Sequence, residues 1–116
     1  MGRKNKNKRA KQSAIVDQFN NYYGSGSLED WQRLCFDIGL EGDFSSKTKC
    51  RNAIRTVHVN IWDLLDAVDK EPKQYPRRFP NAKKLADYTV DTGRIYPKKH
   101  AKDALGPARA LLRHIF

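Results

Sequence analysis

The sequence has no apolar run of 18 residues, so no stretch is expected to span a bilayer. Cysteine is scarce. The two present, Cys35 and Cys50, sit among apolar neighbours at helical spacing, which predicts buried thiols rather than a disulfide or a zinc site. His58, His100 and His114 show no paired spacing that would complete a metal quartet, and no metal or other cofactor is expected. A Gly-rich phosphate loop, a dinucleotide fingerprint and a nucleophile motif are also missing. No catalytic residue is therefore assigned, and the chain is expected not to be an enzyme. The charged start at Met1 has no apolar stretch behind it, and Gly2 lacks the downstream Ser or Thr wanted for myristoylation. A secretory signal is not expected.

Acidic residues are the other shortage: 13 Asp and Glu face 23 Lys and Arg, a net charge of +10. A length of 116 residues predicts one compact unit, and the charge makes an anionic partner the first expectation, nucleic acid before membrane. The basicity is bipolar. Residues 1–11 hold six basic groups (Arg3, Lys4, Lys6, Lys8, Arg9, Lys11) and no acid, whereas residues 12–69 are net acidic and residues 70–116 are again strongly basic. The first of these segments repels itself and offers no large side chain after Met1, so a disordered basic arm is expected. It can neutralise phosphates without sequence preference, and it equally suits a nuclear-import address or a solvated terminus.

Helical periodicity dominates the remainder. Ile15, Val16, Phe19 and Tyr22/Tyr23 suggest a short first helix ending near Gly24. Ser27 and Asp30 have the spacing of a capping box, ahead of a stripe of Leu28, Trp31, Leu34, Cys35 and Ile38. Gly39 suits a left-handed stop, with Leu40 folding back. Ser45 or Ser46 caps a second stripe of Cys50, Ala53, Ile54 and Val57. Lys47, Lys49, Arg51 and Arg55 populate the rest of that helix. They make it a candidate phosphate-facing or groove-facing element; alternatively Arg51 and Arg55 are solvated or paired with Glu41 and Asp43. The comparison with a helix-turn-helix is weakened by the break from Gly39 to Ser45, longer than the usual turn.

Val57-His58-Val59 reads as an extended link or a continuing helix. Asn60 then caps a third amphipathic segment of Ile61, Leu64, Leu65 and Val68, with Asp63 as reciprocal partner and Trp62 adding aromatic surface. Asp63, Asp66 and Asp69 predict a solvated acidic face.

Pro72, Pro76 and Pro80 predict a folded-back connector over 70–80. Within it Arg77 and Arg78 lie between Tyr75 and Phe79, a mixture that suits an RNA or single-strand contact unless the two rings pin the connector to the core. Asn81 caps a helix carrying Leu85, Tyr88 and Thr89 on one face, with Lys83 and Lys84 elsewhere and Gly93 at its end. Ile95-Tyr96-Pro97 anchors the chain before the basic group Lys98, Lys99, His100 and Lys102. Gly106-Pro107 opens a last helix whose Ala108, Leu111, Leu112, Ile115 and Phe116 pack in the core or form a dimer interface.

The constellation Tyr23-Gly24, Leu28, Trp31-Gln32, Leu34-Cys35, Ser46, Cys50, Val57-His58-Val59-Asn60-Ile61, Asp63-Leu64, Leu85, Tyr88-Thr89, Tyr96-Pro97 and Leu111-Leu112-Arg113 resembles a group of small fungal proteins of unestablished function. The resemblance covers most of the chain after the basic arm. It implies a shared fold and a eukaryotic intracellular setting, and it transfers no binding or catalytic residue.

These readings predict an all-α protein: a compact bundle of about five helices over 12–116 behind a disordered basic arm over 1–11. The expected function is phosphate contact with DNA or RNA in the nucleus or cytoplasm. The arm, Lys47, Lys49, Arg51, Arg55, Arg77, Arg78, Lys98, Lys99 and Lys102 are its candidate residues. The alternative is a structural or adaptor protein acting through a protein partner or homodimer.

Overall fold

Side-chain spacing lets six segments of the chain bury one face each, and each is helical in the computed structural model, which describes residues 14–103 and 105–112. Helix α1 covers 14–23, followed by α2 (Leu28–Ile38), α3 (Lys47–Ile54), α4 (Ile61–Val68), α5 (Ala82–Thr92) and α6 (Pro107–Leu111). A single 3-10 turn, Lys98–His100, precedes α6. The arm over 1–11 and the expected apolar positions Ile115 and Phe116 lie outside the described residues.

The helices begin where side chains satisfy their first amides. Ser27 accepts from the Asp30 amide while Asp30 returns the bond to the Ser27 amide, completing the capping box. The same carboxylate takes the Ser25 and Gly26 amides at 3.1 Å each, so one side chain organises the α1–α2 turn as well as the start of α2. Ser46, rather than Ser45, caps α3, and Asn60 and Asn81 cap α4 and α5. Gly39 closes α2 at φ 85°, with the Leu40 amide bonded back to the Cys35 carbonyl at 3.0 Å.

One cluster of buried side chains runs from Ile15 to Leu112. The ring of Phe19 on α1 lies parallel to Tyr23 with centroids 6.1 Å apart, and it meets Tyr96 edge-on at 5.9 Å. Tyr23 in turn meets Trp31 of α2 edge-on at 5.7 Å. These rings tie the first helix to the second and to the segment leading into α6. Phe79 and Leu85 are buried without joining this cluster, and Leu85 is the sole buried residue of α5.

Both thiols are buried and unpaired as a disulfide. The Cys35 thiol donates to the Cys50 carbonyl at 3.6 Å, and burial, reinforced by Cys50, pushes its pKa up to about 12. Burial raises the Cys50 thiol too. A disulfide reagent at pH 8 is therefore expected to leave both cysteines unmodified in the native protein and to titrate two thiols in guanidinium; rapid labelling of either without denaturant contradicts this packing.

Two expectations need correction. Asp66 and Asp69 are exposed as expected of a solvated acidic face, but Asp63 is not solvated: it accepts from the Tyr88 hydroxyl at 2.9 Å and from Arg94 at 2.8 Å, and the same guanidinium reaches the exposed Asp66 at 2.7 Å. The left-handed turn at Gly93 brings Arg94 back onto α4, which periodicity within α4 cannot reveal. The second correction is to Arg51, which pairs with neither Glu41 nor Asp43. It lies over the Trp31 ring at 5.2 Å and donates to the Leu105 carbonyl at 3.1 Å, while Lys49 takes Asp43. Val57-His58-Val59 is a non-helical link, and the His58 carbonyl accepts the Phe79 amide at 2.9 Å.

Candidate nucleic-acid interface

Several cations on this surface are already engaged in holding the fold. Arg33 binds the Tyr22 and Tyr23 carbonyls at the end of α1, and Arg78 binds the Ile38 and Gly39 carbonyls at the end of α2. Arg94 and Arg51 bridge elements as described above. Planar guanidinium groups suit such main-chain and carboxylate bridging. Lys47, Lys99 and Lys102, by contrast, are exposed and enter no described ion pair. Lys98 belongs to the same exposed turn.

The expected site residues therefore occupy different junctions. Arg51 faces the α2–α3–α6 junction, Arg55 is exposed beyond the end of α3, and Arg78 sits on the α2 terminus. Arg77 lies on the α5 side of the connector, and Lys98, Lys99 and Lys102 lie before α6. Arg3, Lys4, Lys6, Lys8, Arg9 and Lys11 lie outside the described residues.

The connector over 70–80 is where charge and aromatic surface meet. It is fastened by the Gln74 amide on the Ala67 carbonyl at 3.0 Å and by the Phe79 amide on the His58 carbonyl. The two rings behave oppositely. Phe79 is buried against Tyr88, with centroids 4.8 Å apart, whereas Tyr75 is 72% exposed. Between them the Arg77 guanidinium lies 4.5 Å from the Phe79 centroid and 5.7 Å from that of Tyr88. The Phe79 and Tyr88 rings attract this cation, and its N–H groups make no hydrogen bond or ion pair among the described residues. Lys70, Tyr75 and Arg77 share a polar cleft with Arg94 and its two aspartates.

Burial and the Asp37 carboxylate raise the Tyr22 hydroxyl far above its ordinary pKa, keeping it a donor to Asp37 at 2.6 Å. Lys73 of the connector pairs with that same carboxylate, which is 5% exposed. The connector is thus bolted to α2 through Lys73 and Arg78. Tyr75 rests on the same helix end: a Cβ at Gly39 would lie 3.1 Å from its ring and 3.2 Å from the Arg78 guanidinium.

Periodicity did not single out Phe36, Lys70 or Lys73. Phe36 carries a usable signal, an aromatic residue off the buried stripe of α2, and it is 62% exposed. Among the described residues no group of three His, Cys, Asp or Glu side chains is placed to hold a metal ion, and no helix is long and apolar enough to cross a membrane. No family model matches the chain, and neither a curated protein nor a solved structure matches it significantly.

Proposed function

We propose that this chain is a non-enzymatic, nucleic-acid-associated helical domain that contacts phosphates through exposed lysines and the connector arginine. The observation that carries this reading is Arg77: an exposed guanidinium within cation–π distance of Phe79 and Tyr88, with no hydrogen bond or ion pair among the described residues, on the same cleft as the exposed ring of Tyr75. A planar donor set with its N–H groups available matches a phosphate. Lys47, Lys98, Lys99, Lys102 and the basic arm over 1–11 add positive potential that recruits a polyanion without fixing its sequence. The resemblance to small fungal proteins fits a nuclear or cytoplasmic setting for this activity.

The test is fluorescence anisotropy of labelled single-stranded RNA and duplex DNA with the full chain at two salt concentrations. Contact with about three phosphates of a single strand predicts a roughly 20-fold loss of affinity between 50 and 200 mM salt. Arg77→Ala is expected to weaken binding about fivefold while leaving the thermal melt close to that of the parent, because Arg77 is exposed and makes no hydrogen bond or ion pair among the described residues. Absence of any complex at low salt overturns the reading. The exposed Val90 and Leu105 favour the alternative of an adaptor or homodimer, which a stable dimer in light scattering without nucleic-acid affinity would establish.

A further inference from the structure

Phe36 and Tyr75 are 62% and 72% exposed, and they line one shallow groove of about 320 Å³ together with Asp37, Lys73 and Gln74. Resting on the nucleic-acid reading above, we infer that this groove receives one unpaired nucleobase of a single strand, stacked on the Phe36 and Tyr75 rings. Four features support that occupant over an apolar side chain of a protein partner.

The first is the floor. Asp37 and Lys73 form an ion pair there, with the carboxylate also held by Tyr22. An aliphatic anchor seated on this pair would strip water from it and return no hydrogen bond. A base edge carries donors and acceptors that the Lys73 ammonium and the Gln74 amide can meet.

The second is the bracing of Tyr75. Its ring lies against Gly39 at the end of α2, close enough that a Cβ there would come within 3.1 Å of it, while most of its surface faces solvent. Stacking on a ring that is already positioned loses less conformational freedom than recruiting a free one.

The third is charge. Tyr75 also borders the cleft that holds Lys70 and Arg77, which enter no ion pair among the described residues, beside Arg94 and the two aspartates it binds. A base stacked at Tyr75 would carry its own phosphate toward Lys70 and Arg77, whereas a hydrophobic peptide has no use for them.

The fourth is strand state. Bases inside a duplex present their faces to each other, so the groove has nothing to stack on in paired nucleic acid. Affinity from this site is thereby confined to single strands, unlike the phosphate attraction spread over the lysines.

The experiment compares the full chain with Phe36→Ala and Tyr75→Ala, using a labelled single-stranded RNA of mixed sequence and the matching duplex. Both positions are exposed, and unchanged circular-dichroism melts verify folding. Each substitution is expected to lower single-strand affinity about tenfold or more and to leave duplex affinity within about twofold, with Tyr75→Phe retaining most of the binding. A 2-aminopurine base in the single strand is expected to lose fluorescence on the parent protein and to keep it on Phe36→Ala. Equal losses on single strand and duplex, or no loss on either, overturn the base site while phosphate binding stands. A parent protein that binds neither nucleic acid overturns both readings. A Phe36→Ala change that alters the oligomeric state in light scattering but leaves RNA affinity intact overturns the base site and assigns the groove to a second copy of the chain.

Discussion

Trp31→Ala is expected to lower the free energy of unfolding by about 4 kcal/mol, read as a shifted urea midpoint in far-UV circular dichroism. The indole is 3% exposed and has neighbours from three elements: Tyr23 of α1 meets its edge, its own helix supplies Leu34 and Cys35 to the same cluster, and Arg51 of α3 covers its face. Removing it deletes a large buried ring and leaves a void that the rigid aromatic neighbours cannot collapse into. Small domains hold only about 5–15 kcal/mol in total, so this one change removes a large share of the stability. Trp31→Phe refills much of the space and keeps an aromatic face under Arg51, so it should recover more than half of the loss. Equal destabilisation by Phe and Ala would show that indole geometry, rather than ring burial, is the quantity that matters.

Asn60→Ala is expected to cost about 3 kcal/mol by the same measurement, for a different reason. Its side-chain oxygen accepts from the Asp63 amide at 3.2 Å, and its amide nitrogen donates to Thr89 Oγ1 at 3.1 Å and to the Arg94 carbonyl at 3.0 Å. One residue, 4% exposed, thereby caps α4 and ties α5 and the turn after it to that cap. Alanine leaves both ends of this arrangement without partners in a place water reaches poorly. Asn60→Asp separates the two roles, since it preserves the cap but turns a donor toward the Arg94 carbonyl into an acceptor. A loss of about 2 kcal/mol is expected from Asp, and a loss close to zero would assign the importance of the position to capping alone.

Asn60 also marks how far local pattern reaches. Its capping role follows from its place ahead of Ile61, and Ser27, Ser46 and Asn81 are equally legible, because a cap depends on atoms within three residues. Its bonds to Thr89 and Arg94 depend on residues some 30 positions away. The same distinction separates Tyr75 from Phe79. Both are aromatic, both lie in a proline-interrupted connector, and only the position of Tyr88 and His58 decides that Phe79 is covered and Tyr75 is not. Arginine roles were hidden for a similar reason: Arg78 spends its guanidinium on carbonyls at the end of α2, 39 and 40 residues earlier in the chain. Charge counting registers such residues as free cations. In the sequence the candidate site was legible as Arg77 and Arg78 between Tyr75 and Phe79, while Phe36 and Lys73 joined it only through the way the connector crosses α2.

α5 buries Leu85 alone and is further attached by the Tyr88 ring against Phe79 and by hydrogen bonds from Asn60 to Thr89 and from Tyr88 to Asp63. A helix secured in this manner has little apolar area to expose when it lifts away, so its detachment is a small local event rather than a loss of the whole bundle. Backbone protons of α5 are accordingly expected to exchange with deuterated solvent ahead of those in α2.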